Sequence, residues 1–124
     1  MNPVNRTLYS FLTEYAVSEP GRNLLGDGEG WLSAARTLER VNALADRMRR
    51  MGIHRGDAVA LRAYRRVETC LWILALQCIG AVAVLTDPRY DSMAFVSGSG
   101  IEGDISAKID GDALTVLRVT DEKE

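Results

Sequence analysis

Gly98-Ser99-Gly100-Ile101-Glu102-Gly103 spells G-x-G-x-x-G. With that spacing a glycine turn lets backbone N–H groups close on the pyrophosphate of a dinucleotide. The chemistry needs a strand before the turn and a helix opening on it. Met93 to Val96 could supply the strand. The residues from Asp104 onward do not suit the helix, because they include β-branched types and a hairpin signal at Asp110-Gly111. Asp121 stands at a spacing for a ribose contact, but inside a charged tail. A kinase-type glycine loop would fit a hairpin better, yet Lys108 comes too soon and no catalytic loop follows. Gly98, Gly100 and Gly103 are thus the candidate cofactor-binding residues, and a plain surface loop is the competing reading.

The other reactive side chains are sparse. His54 is the one histidine, has no carboxylate at a telling spacing, and precedes a turn, so a solvent-facing loop position is expected. Cys70 and Cys78 lie eight residues apart in a predicted helix, which separates them by roughly 12 Å. A disulfide needs α-carbons within about 7 Å, so they do not pair with each other and are expected to pack as small apolar residues. One histidine and two distant cysteines make no zinc site, and no metal ligands are expected. Tyr64-Arg65-Arg66 could meet a phosphate or simply begin a helix from a surface loop. Asp87 falls at a strand's C-terminal end, where α/β folds place ligands, but Asp87-Pro88 also suits a structural turn in which the carboxylate bonds nearby backbone N–H groups. No catalytic residue is expected.

These residues need elements to hold them, and composition bounds what those elements are. A chain of 124 residues, 47% hydrophobic and 26% charged, is a single globular domain rather than a disordered segment, a disulfide scaffold or a multidomain enzyme. Lys and Arg total 15 against 17 Asp and Glu, so a net charge of −2 offers no global field for nucleic acid. The charge is nonetheless segregated. Arg36, Arg40, Arg47, Arg49, Arg50, Arg55, Arg62, Arg65 and Arg66 stand against Glu39, Asp46 and Asp57, whereas the region from Glu102 onward is mainly acidic. The arginines read as a solvated helix face with dipole-matched ends in preference to a nucleic-acid patch. Met1 to Ser10 lacks the basic start and apolar core of a signal peptide. Cys70 to Leu85 is interrupted by Gln77 and Gly80 and is short for a membrane span, so a soluble, cytoplasmic protein is expected.

Leu8, Phe11, Leu12, Tyr15 and Ala16 mark one face of a helix that Pro20-Gly21 ends. Asn23 to Gly26 and Trp31 to Ser33 flank a Gly-rich turn and predict a hairpin. Ser33 can cap a second helix with a buried stripe at Leu38, Val41, Leu44, Ala45 and Met48, an Asp46–Arg50 pair, and a stop at Gly52. Ala58 to Ala63 reads as a strand and Val67 to Ile79 as a helix apolar on nearly every side, buried between layers. Gly80 ends that helix, and Ala81 to Leu85 reads as a continuous apolar strand in the middle of a parallel sheet. Strand, helix, strand makes a right-handed βαβ unit. Met93 to Val96 is a short apolar run, and Ile105 to Ile109 with Ala113 to Val119 flank Asp110-Gly111 as a hairpin.

Three stretches in this order carry a resemblance. They are Trp31-Leu32-Ser33 with Leu38-Glu39-Arg40-Val41-Asn42-Ala43-Leu44-Ala45, then Gly52-Ile53-His54-Arg55-Gly56-Asp57-Ala58-Val59-Ala60-Leu61, then Leu76 through Tyr90 ending in Asp87-Pro88-Arg89-Tyr90. Together, from Trp31 to Tyr90, they resemble the start of the AMP-forming adenylating enzymes, which include acyl- and aryl-CoA synthetases, nonribosomal-peptide adenylation domains and luciferases. Leu85 and Thr86 depart from the family pattern, as does Arg65-Arg66-Val67-Glu68, and after Tyr90 the match collapses. The family's Ser/Thr/Gly-rich phosphate loop ending in Pro-Lys-Gly, its later ribose-binding aspartate and its C-terminal lysine have no counterpart here. The resemblance implies an enzyme that joins a carboxylate to AMP from ATP, with magnesium, and passes the acyl group to a thiol such as coenzyme A. It also implies that this chain is scaffold: the N-terminal portion of a fatty acid–CoA ligase, inactive alone, with the remainder of its own enzyme chain as partner.

The expected fold is therefore α/β and three-layered, with a small, mostly parallel sheet flanked by helices and a C-terminal β-hairpin, as one domain over residues 1–124. Two other readings compete: a non-catalytic interaction module of the same fold, and a small nucleotide-binding protein using Gly98 to Gly103.

Overall fold

The computed structural model describes residues 7–28, 30–64, 66–87, 89 and 105–117. Thr7 starts the first helix, α1 (Leu8–Ser18). Its hydroxyl accepts from the Ser10 N–H at 3.1 Å while the Ser10 hydroxyl accepts from the Thr7 N–H at 2.8 Å, so two donors at the helix end are satisfied reciprocally. The chain then forms an antiparallel hairpin of β1 (Asn23–Asp27) and β2 (Gly30–Ser33). Gly26 pairs with Trp31, and a Cβ built on Gly26 would stand 2.5 Å from the indole Cε3. Glycine thus lets the ring lie on the opposing strand.

Ser33 caps α2 (Ala34–Arg50) as its side chain accepts from the Arg36 N–H at 3.2 Å. Val41, Ala45 and Met48 of the expected stripe are fully buried, and Leu38 and Leu44 pack beside them. Asp46 and Arg50 pair at 2.9 Å one turn apart, and Arg47, Arg49 and Arg50 occupy the last turn, where the helix dipole favours cations. Next come β3 (Ala58–Arg62), α3 (Val67–Ile79), β4 (Val82–Thr86), β5 (Ile105–Asp110) and β6 (Ala113–Val116).

The larger sheet has the order β4-β3-β5-β6. β3 is parallel to both β4 and β5, and β6 closes antiparallel on β5. α2 and α3 share a core with Val59, Leu61, Ala107 and Ile109 on one face of that sheet. Alternating side chains point oppositely along a strand, and accordingly Ala60 meets Ile105, Val84 and Leu117 in a separate cluster. α1 and the β1-β2 hairpin form the third layer, outside α2 and α3. Leu12 of α1 is buried there, whereas Leu8 and Phe11 of its apolar face remain exposed. Tyr9 pins this layer: its hydroxyl donates to Asn42 Oδ1 at 2.7 Å and its N–H to Gln77 Oε1 at 3.2 Å.

The layering explains why α3 is apolar on nearly every side. Leu71, Trp72, Ala75, Leu76 and Ile79 are buried, and Ile73, Leu74 and Cys78 are half-buried under the outer layer. Each large side chain so buried contributes about 1.5–3 kcal/mol. One expectation is corrected. Among the described residues β4 is not a central strand but an edge, with Val82 and Leu85 about half exposed. A run of apolar residues signals burial in general and carries no information about strand order. Among the described residues no helix is long and apolar enough to cross a membrane.

Candidate functional site

Three parallel strands deliver their C-terminal ends to one edge of the sheet: Arg62 from β3, Thr86 from β4 and Asp110 from β5. The chain runs from β3 to β4 on one side and returns to β5 on the other, so the strand order reverses beside β3. A crevice at such a reversal is where open α/β sheets bind ligands.

Here the edge is occupied by the protein's own charges. Arg62 Nη1 donates to Asp110 Oδ2 at 2.7 Å, and the Tyr64 hydroxyl donates to Asp110 Oδ1 at 3.1 Å. Both partners of the ion pair are partly shielded from water, with side chains 20% and 39% exposed, so it is screened less than a surface pair. The Trp72 indole N–H donates to the Gly111 carbonyl at 2.9 Å. Arg47 of α2 lies 5.5 Å from the Trp72 ring and donates to the Asp112 carbonyl at 3.1 Å. The β5-β6 turn is therefore gripped from α2, β3 and α3 at once. The turn itself depends on Gly111, which adopts φ +64, whereas among the described residues no other residue type has positive φ. Glycine at the first turn position suits a type II′ hairpin.

Beside this lattice is a polar hollow of about 330 Å³ lined by Arg40, Tyr64, Arg66, Glu68, Thr69, Gly111 and Asp112. Arg66 stands 5.3 Å from the Tyr64 ring. Two guanidinium groups and two hydroxyls could face an anion, but Glu68 and Asp112 line the same walls. The lining holds no histidine or cysteine.

Asp87 continues from β4 at the same edge. Its Oδ1 accepts from the Arg89 N–H at 2.8 Å and from Arg89 Nε at 3.0 Å, and its Oδ2 accepts from Arg89 Nη2 at 2.6 Å. These bonds hold its carboxyl down at about 2. Asp87 thus does bond a nearby backbone N–H as the sequence suggests, and the guanidinium closes the turn as well.

The remaining candidates separate. Gly98, Gly100 and Gly103, together with Met93 to Val96 and Asp121, lie outside the described residues. His54 is exposed in a turn where its N–H donates to Asp57 Oδ2 at 2.6 Å. Cys70 and Cys78 are both free. Cys78 is half-buried, with Arg49 Nη2 at 3.8 Å from its sulfur, but Cys70 is exposed and not packed as expected. It lines an apolar groove of about 310 Å³ between α1 and α3, along with Phe11, Leu12, Leu25 and Ile73. Among the described residues no group of three His, Cys, Asp or Glu side chains converges as a metal site.

The Arg62–Asp110–Tyr64 cluster and the Trp72–Gly111 bond were not readable residue by residue. Their partners are separated by 39 to 48 positions. The signal that did exist was coarser: an arginine-rich middle and an acidic C-terminal region, whose natural resolution is to meet.

A family model described as AMP-binding enzyme matches residues 12–96. Tyrocidine synthase 3 of Brevibacillus parabrevis is 30% identical over 88 residues, which is 71% of this chain and 1% of that protein. The Klebsiella oxytoca NpsA N-terminal subdomain, solved with anthranilyl-AMSN, superposes with a TM-score of 0.75 at 23% identity, covering 92% of this chain and 29% of that one. A Rhodopseudomonas palustris protein assigned as a long-chain-fatty-acid CoA ligase superposes with a TM-score of 0.68 at 30% identity, covering 77% of this chain and 25% of that one. The chain therefore spans about 1% of its first curated relative and less than a third of these solved structures.

Proposed function

The chain belongs to the AMP-binding enzyme family, and on that premise we propose that it is the N-terminal subdomain of an enzyme that activates a carboxylic acid with ATP. In this reading the full-length enzyme forms an acyl-adenylate with release of pyrophosphate, then passes the acyl group to the thiol of coenzyme A. The likeness to the Rhodopseudomonas palustris ligase supports a fatty acid as substrate and coenzyme A as acceptor. The observation that carries the proposal is the ordered match over residues 12–96, whose motifs occupy α2, β3, α3 and β4 of one folded unit. Residues 1–124 act as a single domain, and two free cysteines suit a reducing cytoplasm.

What this chain supplies is positioning. The parallel strands β4, β3 and β5 form a stiff edge, the Arg62–Asp110 pair fixes the ends of β3 and β5, and the Asp87–Arg89 clasp sets the exit from β4. The groups that touch ATP and the acid belong to the remainder of the enzyme chain, and magnesium, ATP and coenzyme A bind there. Acid-dependent exchange of labelled pyrophosphate into ATP by that full-length enzyme tests the activity, and absence of exchange with every carboxylic acid offered overturns it. The 124-residue chain alone is expected to show no heat of ATP binding in calorimetry. Micromolar ATP binding that is lost in Gly100→Asp would instead establish the nucleotide-binding reading of Gly98 to Gly103.

A further inference from the structure

Arg40 of α2, Arg66 at the N-cap of α3 and Glu68 in its first turn line the polar hollow beside the β5-β6 turn, and among the described residues none of them has an ion-pair partner. Asp112 lines the hollow too, but its side chain is 97% exposed and is answered by Arg47 at 3.8 Å. Positive charge is therefore in excess. The start of α3 adds to it, because the N-cap makes no side-chain hydrogen bond and the helix dipole is positive at that end. Thr69 is the independent sign of a ligand. It is only 8% exposed and lines the same hollow, yet among the described residues its hydroxyl has no hydrogen-bond partner. Buried hydroxyls are ordinarily satisfied. The Thr69 oxygen is not sealed in, and the open space beside it is the hollow.

We propose that this hollow binds a small aminoalkyl phosphate monoester, with the phosphate on Arg40, Arg66 and Thr69 and the ammonium group on Glu68. Charge selects this class. Two guanidinium groups and one carboxylate match a ligand with a doubly charged phosphate at one end and a cation at the other. A bare phosphate would leave Glu68 opposed to it. Guanidinium groups and a helix N-terminus are the donors that phosphate oxygens take best. Arg66 is also held in place before any ligand arrives: it stands 5.3 Å from the Tyr64 ring, and the Tyr64 hydroxyl is fixed by Asp110 at 3.1 Å. A volume of about 330 Å³ leaves room for more than the phosphate group. The site goes beyond the proposed reaction and does not depend on it.

The test is amide NMR of the 124-residue chain at low ionic strength, titrated with inorganic phosphate and, separately, with O-phosphoethanolamine. Both are expected to shift the amides of Arg66, Glu68 and Thr69 to saturation, with phosphoethanolamine bound about tenfold more tightly through its extra charge-assisted hydrogen bond. Thr69→Val keeps the side-chain shape and removes a hydroxyl on which no described group depends. It is expected to leave the urea midpoint unchanged or higher and to weaken both ligands about tenfold. Arg40→Gln, at an exposed position, is expected to weaken both as well, and it decides alone if Thr69→Val does not fold. Glu68→Gln is expected to tighten phosphate and so remove the preference for phosphoethanolamine. Absence of a saturable shift with either probe overturns the proposal. So does binding that Thr69→Val and Arg40→Gln leave unchanged, which is general attraction to exposed arginines, and so does equal affinity of wild type for the two probes.

Discussion

Asp87 and Arg89 are two residues apart, and their side chains close a ring over the turn. The hydrogen bonds from Arg89 are the main reason the Asp87 carboxyl lies at about 2 rather than at its ordinary 3.8. Because the folded value is depressed, the ionised form is the one favoured by folding. Its contribution is present above about pH 4 and is lost as the pH falls through about 2. Observed by carbon NMR, the Asp87 carboxyl should titrate near 2, and Arg89→Ala should return it toward 3.8. An unmoved midpoint in the variant would show that the clasp does not set it. At this scale the sequence was informative only for near neighbours. The turn at Asp87 and the cap at Ser33 are local and could be read directly. Asp110 as partner of both Arg62 and Tyr64 could not, because a hydrogen bond between distant positions leaves no periodic trace.

The helix α3 shows what is legible at the level of an element. Its expected limits, Val67 and Ile79, agree with the structure because the stop signal is chemical: Gly80 adopts φ +77, and its N–H bonds back to the Gln77 carbonyl at 3.1 Å. Gly80→Ala would force an L side chain into the left-handed region and also place its Cβ against the Arg55 stem. Urea denaturation should show a loss of about 1–2 kcal/mol, whereas Gly21→Ala, with nothing within 4 Å and no positive φ, should change stability little. Equal midpoints for the two variants would contradict this account. β4 marks the opposite case. Its existence was readable and its place was not, since the neighbours of a strand are decided by the whole chain. The arginines of α2 were half read. Arg50 does pair along the helix with Asp46, but Arg47 leaves that pattern to hold the β5-β6 turn.

Across the molecule, stability is uneven by construction. α2, α3, β3 and β5 share the main core, while α1 buries only Leu12 and is otherwise held by its Tyr9 hydrogen bonds and an apolar groove beneath it. Hydrogen exchange should find the α1 amides opening well below the free energy of global unfolding, with those of α3 near it. Tyr9→Phe should speed exchange in α1 further and leave α3 unchanged. Equal protection of both helices would rule out this division. The three-layer architecture was legible because α3 is apolar all round, which only a helix between two layers can be. The candidate site was legible as a region and not as chemistry, for the glycines that matched a motif lie outside the described residues.

The meeting of arginine-rich middle and acidic hairpin has a consequence for synthesis. The ribosome releases β3, α3 and β4 well before β5, and β5 is the strand that completes the other side of β3. Until it arrives, the nascent chain carries one bare edge of β3 and a surplus of positive charge beside it. β5 is thus both the missing strand and the counter-charge, and until it emerges the segment before it carries an unpaired strand edge of the kind that exposes folding chains to aggregation.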